Sequence, residues 1–558
     1  MRRIAIIGGG IAGLTAACEL ARLARSGAPV EAVLFESSHR FGGLIETVRE
    51  GGFTVECGPD GWVSAKPWAA ELATELGLAG ELIPSNDATR RTHIFLTTPS
   101  HPSGRLVPMP DGLNVMVPTN LDALDGSPLF TESAIAAYRA EPARAASLLA
   151  SIPPDDESVA DFTLRHFGRE VLDRVAAPLL SGVFGGDVRR LSVRAVLPAF
   201  VQMERTHGSL IAALSRTSNL EPRTSSIFTT LGSGLGTLIG RLIAAIPPPW
   251  LRLHATVTSI APNSNRTPTA GSRQPDHETS SSNRCLWTIS TFNSARQHTS
   301  ETFDAIFLAT PLDATRRLLA PLDRDAAYLL PRESSSAVLV AFAYTDASRV
   351  PLPPGFGFLV PPRGGVIPAE GGAFAAEVEE PPHFAFEESA ASSAPSLLLA
   401  CTFVDQKFSH RVPPNGRLVR VFFGGTAADR IARCNNDEIA AIARLELARI
   451  LNADAPVSGP APTPAPPAAL TVVRRWPNSL PQYAVGHPAR AAELESRLRA
   501  LPGLTLLGNA LHGVGLPDLI RAARAATRKQ LTTDHCPLIS SPPAALRHAA
   551  GSSSSSRP

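Results

Sequence analysis

The spacing of apolar and polar positions along this 558-residue chain predicts a strand–helix–strand unit at its start. Residues 3–7 form a short apolar run rich in β-branched side chains, the length of one buried parallel strand. From Ile11, apolar and small residues recur at helical spacing through Leu14, Ala17, Leu20, Ala21 and Leu23, and a second strand over 30–35 ends in an acid, Glu36. A helix over 67–76 is closed by Gly77. Residues 90–118 alternate apolar and polar positions between prolines, as short strands and turns do. Residues 122–166 carry amphipathic helical spacing, with a helix start at 156–158. Between 177 and 211 a glycine-rich apolar turn joins two helical stretches, and 229–246 repeats the turn-and-helix pattern.

In the second half, a strand centred on Val257 is separated by a polar insertion from a hairpin partner at 286–292. Residues 304–311 read as a buried strand returning to the first unit. Runs at 337–344, 356–360, 397–404 and 418–423 read as strands of a second sheet, interrupted by a surface insertion at 368–396. A helix over 437–451 precedes a Pro-rich loop at 456–468. An amphipathic helix over 489–501, a strand over 504–507 and a glycine-rich turn over 508–518 lead into a last helix from about Leu519. The Ser-, Pro- and Ala-rich tail, 533–558, is expected to be disordered.

Composition narrows the class. The chain exceeds one hydrophobic core, so two or three domains are expected. With 44% hydrophobic and 18% charged residues it is globular, and a net charge of +2 gives no electrostatic case for nucleic acid. Six cysteines show neither C-x-x-C spacing nor a Cys/His cluster, which predicts free thiols and no metal. No apolar span reaches the length of about 20 residues that crosses a bilayer, so membrane association must be monotopic. The first strand starts at residue 3, leaving no room for a cleavable signal before it.

The chemistry-bearing stretch is G-x-G-x-x-G at Gly8, Gly10 and Gly13, placed between a strand and a helix. Gly8 allows the tight turn, Gly10 lets the backbone approach a pyrophosphate, and Gly13 lets helix and strand pack closely. The helix N-terminus offers free N–H groups and a positive dipole end to phosphate, and Glu36 accepts from a ribose hydroxyl. Arg40-Phe41-Gly42-Gly43 resembles the second fingerprint of the amine-oxidase-like flavoproteins and favours FAD over NAD. Gly58-Pro59-Asp60-Gly61 is a turn that either contacts flavin or simply connects.

These segments, in this order, resemble the protoporphyrinogen oxidase family within that superfamily. The resemblance covers most of residues 1–530 outside 262–284, 368–396 and 456–468. It is carried by GPDGW at 58–62, LLSGVFGGDVRRLS at 179–192 and GFGFLVPP at 355–362, with VFFGG at 421–425, RWPNSLPQYAVGH at 475–487 and LLGNALHGVGLPDLI at 506–520. It implies an α/β fold in which a Rossmann-like FAD-binding domain is assembled from 1–89, 229–315 and 471–532. A mixed-sheet substrate-binding domain follows from 90–121, 205–228 and 316–470, and a helical, membrane-facing part from 122–204.

By the same resemblance, FAD is held without a covalent bond. Gly8, Gly9, Gly10, Ile11, Ala12, Gly13, Glu36, Ser37, Gly43, Gly58, Pro59, Asp60 and Gly61 are its expected contacts, and Val257 meets the adenine end through its backbone. Trp476, Val514, Gly515 and Leu516 lie beside the isoalloxazine, where a helix dipole would stabilise the reduced, anionic ring. Arg91 pairs with a propionate, although the adjacent Arg90 could replace it. Gly182, Leu359 and Phe422 line an apolar slot, although the last two would also suit an ordinary sheet core.

The implied reaction is the six-electron oxidation of protoporphyrinogen IX to protoporphyrin IX, the penultimate step of haem biosynthesis. It runs in three two-electron steps, with the flavin as hydride acceptor, O₂ as terminal acceptor and H₂O₂ released. No catalytic side chain is required. His512 stands where the family usually has Tyr. Coproporphyrinogen III is an alternative substrate. An amine oxidase is a second alternative, but it would need an aromatic cage, and the closing turn carries no Tyr. A catalytically silent flavin-binding protein is a third. The low-complexity insertions are similar to those of eukaryotic enzymes, which implies peripheral attachment to the mitochondrial inner membrane, with room for a homodimer and for handover to ferrochelatase.

Overall fold

A five-stranded parallel sheet, ordered Leu251–Arg252, Val30–Phe35, Arg2–Ile7, Ala305–Leu308, Leu504–Leu506, forms the nucleotide half of the computed structural model. The structure describes residues 1–98, 101–218, 226–263, 287–293, 297–361, 396–452 and 467–532. The strand Arg2–Ile7 is central and covered on both faces, which explains its unbroken apolar run. Ile4 and Ile6 pack under helices Ile11–Arg25, Trp68–Glu75, Gly236–Ala245 and Leu516–Thr532. Ala5 and Ile7 face the other way, towards a three-stranded antiparallel layer and helix His487–Leu498.

The hairpin expected across the first insertion forms: Ala255–Pro262 pairs antiparallel with Trp287–Asn293, with Val257 opposite Thr291. A third strand, His298–Phe303, extends it; its polar sequence, HTSETF, carried no strand signal. Residues 264–284, 368–395 and 456–466 of the expected insertions, and the tail 533–558, lie outside the described residues. Among the described residues Cys18, Cys57, Cys401 and Cys434 are free thiols.

The second sheet has seven strands, ordered Leu470–Pro481, Ser334–Tyr344, Arg417–Gly424, Leu398–Phe403, Gly357–Leu359, Thr92–Thr98, His101–Pro108. All four strands expected in its centre are present. One face carries Phe95, Val340, Phe342, Phe358 and Val421 and is covered by helices Gly425–Ile431 and Asn436–Leu451. The opposite face looks towards the nucleotide half and the helical part. Leu470–Pro481 is a twelve-residue strand where no element was expected. It lies at a sheet edge, where Pro477 and Pro481 are tolerated because one side needs no ladder hydrogen bonds. Residues 471–481, expected with the nucleotide segments, therefore belong to the seven-stranded sheet.

The helical part packs around Phe162, Phe167, Val175, Leu180 and Leu191, and Leu210, Ile211 and Leu214 join this core, although 205–228 was expected with the substrate sheet. Within 177–211, where a glycine-rich apolar turn and two helical stretches were expected, helix Ala177–Phe184 is entered through a π-helical turn at Leu172–Ala176 and ended by Gly185 at φ +68°. Among the described residues no helix is long and apolar enough to cross a membrane. Leu149, Leu164 and Val183 are exposed apolar residues on this part.

A buried imidazolium ties these helices together. The His166 ring lies 2.9 Å from Glu141 and 3.0 Å from Glu204, and all three side chains are inaccessible to solvent. Glu141 also accepts from the Leu210 N–H at 2.8 Å and from Ser209, while Arg165 joins Glu204 to Glu157. Burial alone would lower the His166 pKa, but the two carboxylates outweigh it and raise it. A raised pKa contributes stability that is full below the unfolded value of about 6.5 and is lost as pH rises through the folded value. His166→Gln should therefore cost about 3 kcal/mol at pH values near 6 and progressively less towards alkaline pH, measured by urea unfolding. A pH-independent difference would contradict this.

Candidate functional site

The first turn fits a dinucleotide pyrophosphate. Gly8 has φ +108°, and a Cβ at Gly13 would lie 2.0 Å from the Gly8 carbonyl oxygen, so only glycine lets helix and strand approach this closely. A Cβ at Gly10 would meet nothing within 4 Å, leaving open space above the turn. Helix Ile11–Arg25 begins there with no side-chain cap and no acid in its first turn. The N–H groups of Ile11, Ala12 and Gly13 thus head an uncapped dipole, which suits an anion.

The second glycine turn is fused to the first. Gly42 N–H donates to the Gly9 carbonyl at 2.8 Å, and Gly10 and Gly42 form a parallel bridge. Arg40 donates to the carbonyls of Phe41, Ile45 and Gly43 at 3.3, 3.0 and 2.7 Å, so the loop presents little carbonyl charge towards the same space. Gly43 sits directly against Gly10. Glu36 accepts from Gly9 N–H at 2.7 Å and from Ser38 N–H at 2.8 Å; Ser37 flanks it, with its hydroxyl 3.4 Å from the carboxylate. Val257 lies on the strand whose first residue, Ala255, donates to the Glu36 carbonyl at 2.9 Å. The structure therefore gathers these expected adenine and pyrophosphate residues at the C-terminal ends of the strands Arg2–Ile7 and Val30–Phe35.

The turn at 58–61 is held from below by charge that sequence reasoning missed. Asp60 pairs with Lys407 at 3.1 Å and with Arg420 at 3.2 Å, and Arg420 also donates to the Gly58 carbonyl. Burial would raise the Asp60 pKa, yet Lys407 and Arg420 outweigh it and hold it at about 2. Arg411 joins Glu56 and Thr230 at 2.7 Å each, and Thr230 donates to the Asp60 carbonyl at 2.8 Å. Pro59 and Gly61 are thereby fixed between the nucleotide half and the second sheet. The only signal in the sequence was a cation inside an apolar strand, Arg420 in LVRVFF.

Trp476, on the edge strand, donates its indole N–H to the Cys57 carbonyl at 2.7 Å, beside the same turn. Val514 packs on the helical core and Leu516 under the nucleotide sheet, with Gly515 between them at the N-terminus of Leu516–Thr532. The helix starts three residues earlier than expected. His512 points outward, forming an exposed pair with Glu495 at 2.7 Å.

The slot residues share one face of the seven-stranded sheet. Directly paired residues of neighbouring strands project to the same side, and Leu359 pairs with Ala400, which pairs with Phe422. Phe422 also pairs with Leu339, and Gly424, two residues on, pairs with Ala337, which pairs with Trp476. Leu359, Phe422, Arg420 and Trp476 therefore look the same way, towards the turn at 58–61. A Cβ on Gly182 would sit 3.5 Å from Leu359, so helix Ala177–Phe184 walls the slot beside that residue. Arg91 is exposed at the end of this sheet, next to Thr92–Thr98, its carbonyl accepting from Phe356 N–H at 2.7 Å. Among the described residues no cluster of His, Cys, Asp and Glu could hold a metal ion.

The sequence profile of the flavin containing amine oxidoreductases matches residues 11–529. The coproporphyrinogen III oxidase of Bacillus subtilis is 28% identical over 539 residues, covering 95% of this chain and 98% of its own. Protoporphyrinogen oxidase 2 of Arabidopsis thaliana is 24% identical over 537 residues, covering 92% and 91%. A solved structure from Exiguobacterium sp. 255-15, provisionally named a protoporphyrinogen oxidase, superposes with a TM-score of 0.71 at 26% identity and covers 95% and 99%.

Gly13→Ala should prevent FAD from being retained, because its Cβ would overlap the Gly8 carbonyl. The purified variant is expected to lack the yellow flavin band. A flavin content equal to that of the parent protein would contradict the role given to this turn.

Proposed function

The chain belongs to the flavin containing amine oxidoreductases, and from that premise we propose that it oxidises a porphyrinogen to the porphyrin with O₂ as final acceptor. FAD is its cofactor and, when bound, supplies the acceptor for the electron pairs removed from the macrocycle. The observation that carries the reading is the row Leu359–Ala400–Phe422, faced by Gly182 and continuous with the sheet face that bears Trp476. A flat apolar floor under a glycine-lined wall suits a large, non-planar, apolar ring whose charges lie at its rim.

Each residue has a positioning role. Leu359 and Phe422 support the macrocycle, and the missing side chain at Gly182 leaves room for it. Arg91, exposed at the end of the sheet just before Thr92–Thr98, pairs with a rim carboxylate, which it suits because a guanidinium stays charged and forks onto carboxylates. Val514, Gly515 and Leu516 present the positive end of the last helix to the flavin. The turn at 58–61, fixed by Lys407 and Arg420, would help hold the flavin against the sheet. By holding FAD and a macrocycle side by side, these residues would supply proximity and electrostatics as the protein's share of catalysis.

Two porphyrinogens fit this description. Coproporphyrinogen III is favoured by the Bacillus subtilis relative, which is named for it, and protoporphyrinogen IX by the Arabidopsis one. They differ in that two propionates of the first are vinyl groups in the second. Peripheral attachment to a mitochondrial inner membrane draws support from the plant relative, named chloroplastic/mitochondrial; the relatives named for coproporphyrinogen III come from bacteria.

Porphyrin fluorescence after adding each porphyrinogen to the FAD-loaded protein tests the reading. Accelerated porphyrin formation from at least one is expected, with coproporphyrinogen III giving the higher kcat/KM. No acceleration with either would refute it. Arg91→Ala should raise KM about tenfold with little change in kcat; an unchanged KM would remove Arg91 from the site.

A further inference from the structure

The segment Gln482-Tyr483-Ala484-Val485-Gly486-His487 lines neither the slot nor the pyrophosphate turn, yet three parts of the molecule meet on it. On one side it grips the turn at 508–515. Tyr483, which is buried, donates its hydroxyl to the Asn509 carbonyl at 2.6 Å, and the Gly513 N–H faces the Tyr483 hydroxyl oxygen. Its ring stacks on buried His487, with centroids 4.1 Å apart and planes at 11°. The His487 Nε2 lies 2.9 Å from the Leu511 carbonyl. A carbonyl only accepts, so the proton must be on Nε2. Burial lowers the pKa of this ring, which keeps it neutral. From the preceding strand, the Ser479 carbonyl accepts from the Asn509 side chain at 3.0 Å. The turn is thus held at 509, 511 and 513, immediately before Val514.

On the other side the segment is bonded to the helical part. Ser192 N–H donates to the Tyr483 carbonyl at 2.7 Å, and Val485 N–H donates to the Arg190 carbonyl at 2.9 Å. Leu191 forms an antiparallel bridge with Ala484, and Gly486 N–H donates to Asp156 at 2.7 Å. The Gln482 side chain lies flat on Gly186, where a Cβ would be 1.9 Å from its amide oxygen. Gly186 follows the slot helix Ala177–Phe184 directly.

We infer that Tyr483 and His487 are positioning residues that fix the 508–515 turn against the flavin, and that Gln482 on Gly186 links this clamp to the slot helix. The inference rests on the reading that Val514, Gly515 and Leu516 lie beside the flavin ring. The hydrogen bonds from Tyr483 and His487 both end on backbone carbonyls of this glycine-containing turn. Losing a donor therefore leaves a poorly solvated carbonyl and frees the backbone around it.

The test uses the FAD-loaded protein, its FAD dissociation constant and the visible circular dichroism of the bound flavin. His487→Ala should weaken FAD binding about tenfold and change the flavin dichroism. His487→Gln, whose side-chain amide N–H can reach the same carbonyl, should restore both to near the parent values. A purely structural loss would not be rescued in this way. Tyr483→Phe keeps the ring stack and removes only the hydroxyl, so it reports even where His487→Ala does not fold; a several-fold weaker FAD affinity is expected. Gly186→Ala, acting from the helical side, should alter the same dichroism.

Unchanged FAD affinity and dichroism in both His487→Ala and Tyr483→Phe, or a Gln variant no better than Ala, would overturn the clamp. An unchanged spectrum in Gly186→Ala would overturn the link to the slot helix. Neither readout needs a porphyrinogen, so failure of the parent protein to oxidise one would refute the substrate reading and leave the clamp to be judged on its own.

Discussion

A half-buried carboxylate held by two cations joins the two halves of this protein. Asp60 belongs to the turn that follows the nucleotide strands, while its partners, Lys407 and Arg420, come from the second sheet and the helix beside it. Glu56 and Arg411 form a second such pair next to it. Charges removed from water are costly unless paired, and removing one partner strands the other. The turn at 58–61 therefore cannot slide along the sheet without leaving an ion uncompensated. That fixes the spacing between the pyrophosphate turn and the apolar row at Leu359 and Phe422, on which the proposed chemistry depends.

The nucleotide unit was legible because its constraints are local. Gly8, Gly13 and Glu36 lie within one strand–helix–strand stretch, and each is dictated by backbone approach or a hydrogen bond to a near neighbour. The four central strands of the second sheet were legible as apolar runs, and the hairpin around Val257 as two such runs flanking a polar insertion. What stayed hidden depends on distant partners. The edge strand Leu470–Pro481 carries two prolines and few buried residues, so its pairing with Ser334–Tyr344 leaves no local pattern. Lys407 and Arg411 look like surface cations in one dimension, and only the fold buries them, with Arg420, against Asp60 and Glu56. His512 drew notice as a departure from the family pattern, yet it points to solvent and pairs with Glu495.

The family supplies the cofactor and the general architecture, whereas the substrate must be argued from the slot. The amine-oxidase scaffold also carries proteins that share only its fold with this chain, such as putrescine oxidase. In the proposed slot the floor is the row Leu359, Ala400 and Phe422, with a glycine-containing helix as wall, and Trp476 on the same sheet face hydrogen-bonds to the backbone. A row of apolar side chains extending across three strands suits a macrocycle better than it does a small cation.

Anaerobic mixing of the FAD-loaded protein with coproporphyrinogen III or protoporphyrinogen IX measures electron transfer from substrate to bound flavin directly. The expected result is bleaching of the flavin's visible band by at least one of the two, followed on admitting O₂ by return of the band and appearance of porphyrin fluorescence. A flavin band that stays at full intensity in the presence of both porphyrinogens would contradict the assignment of this site as a porphyrinogen-oxidising centre.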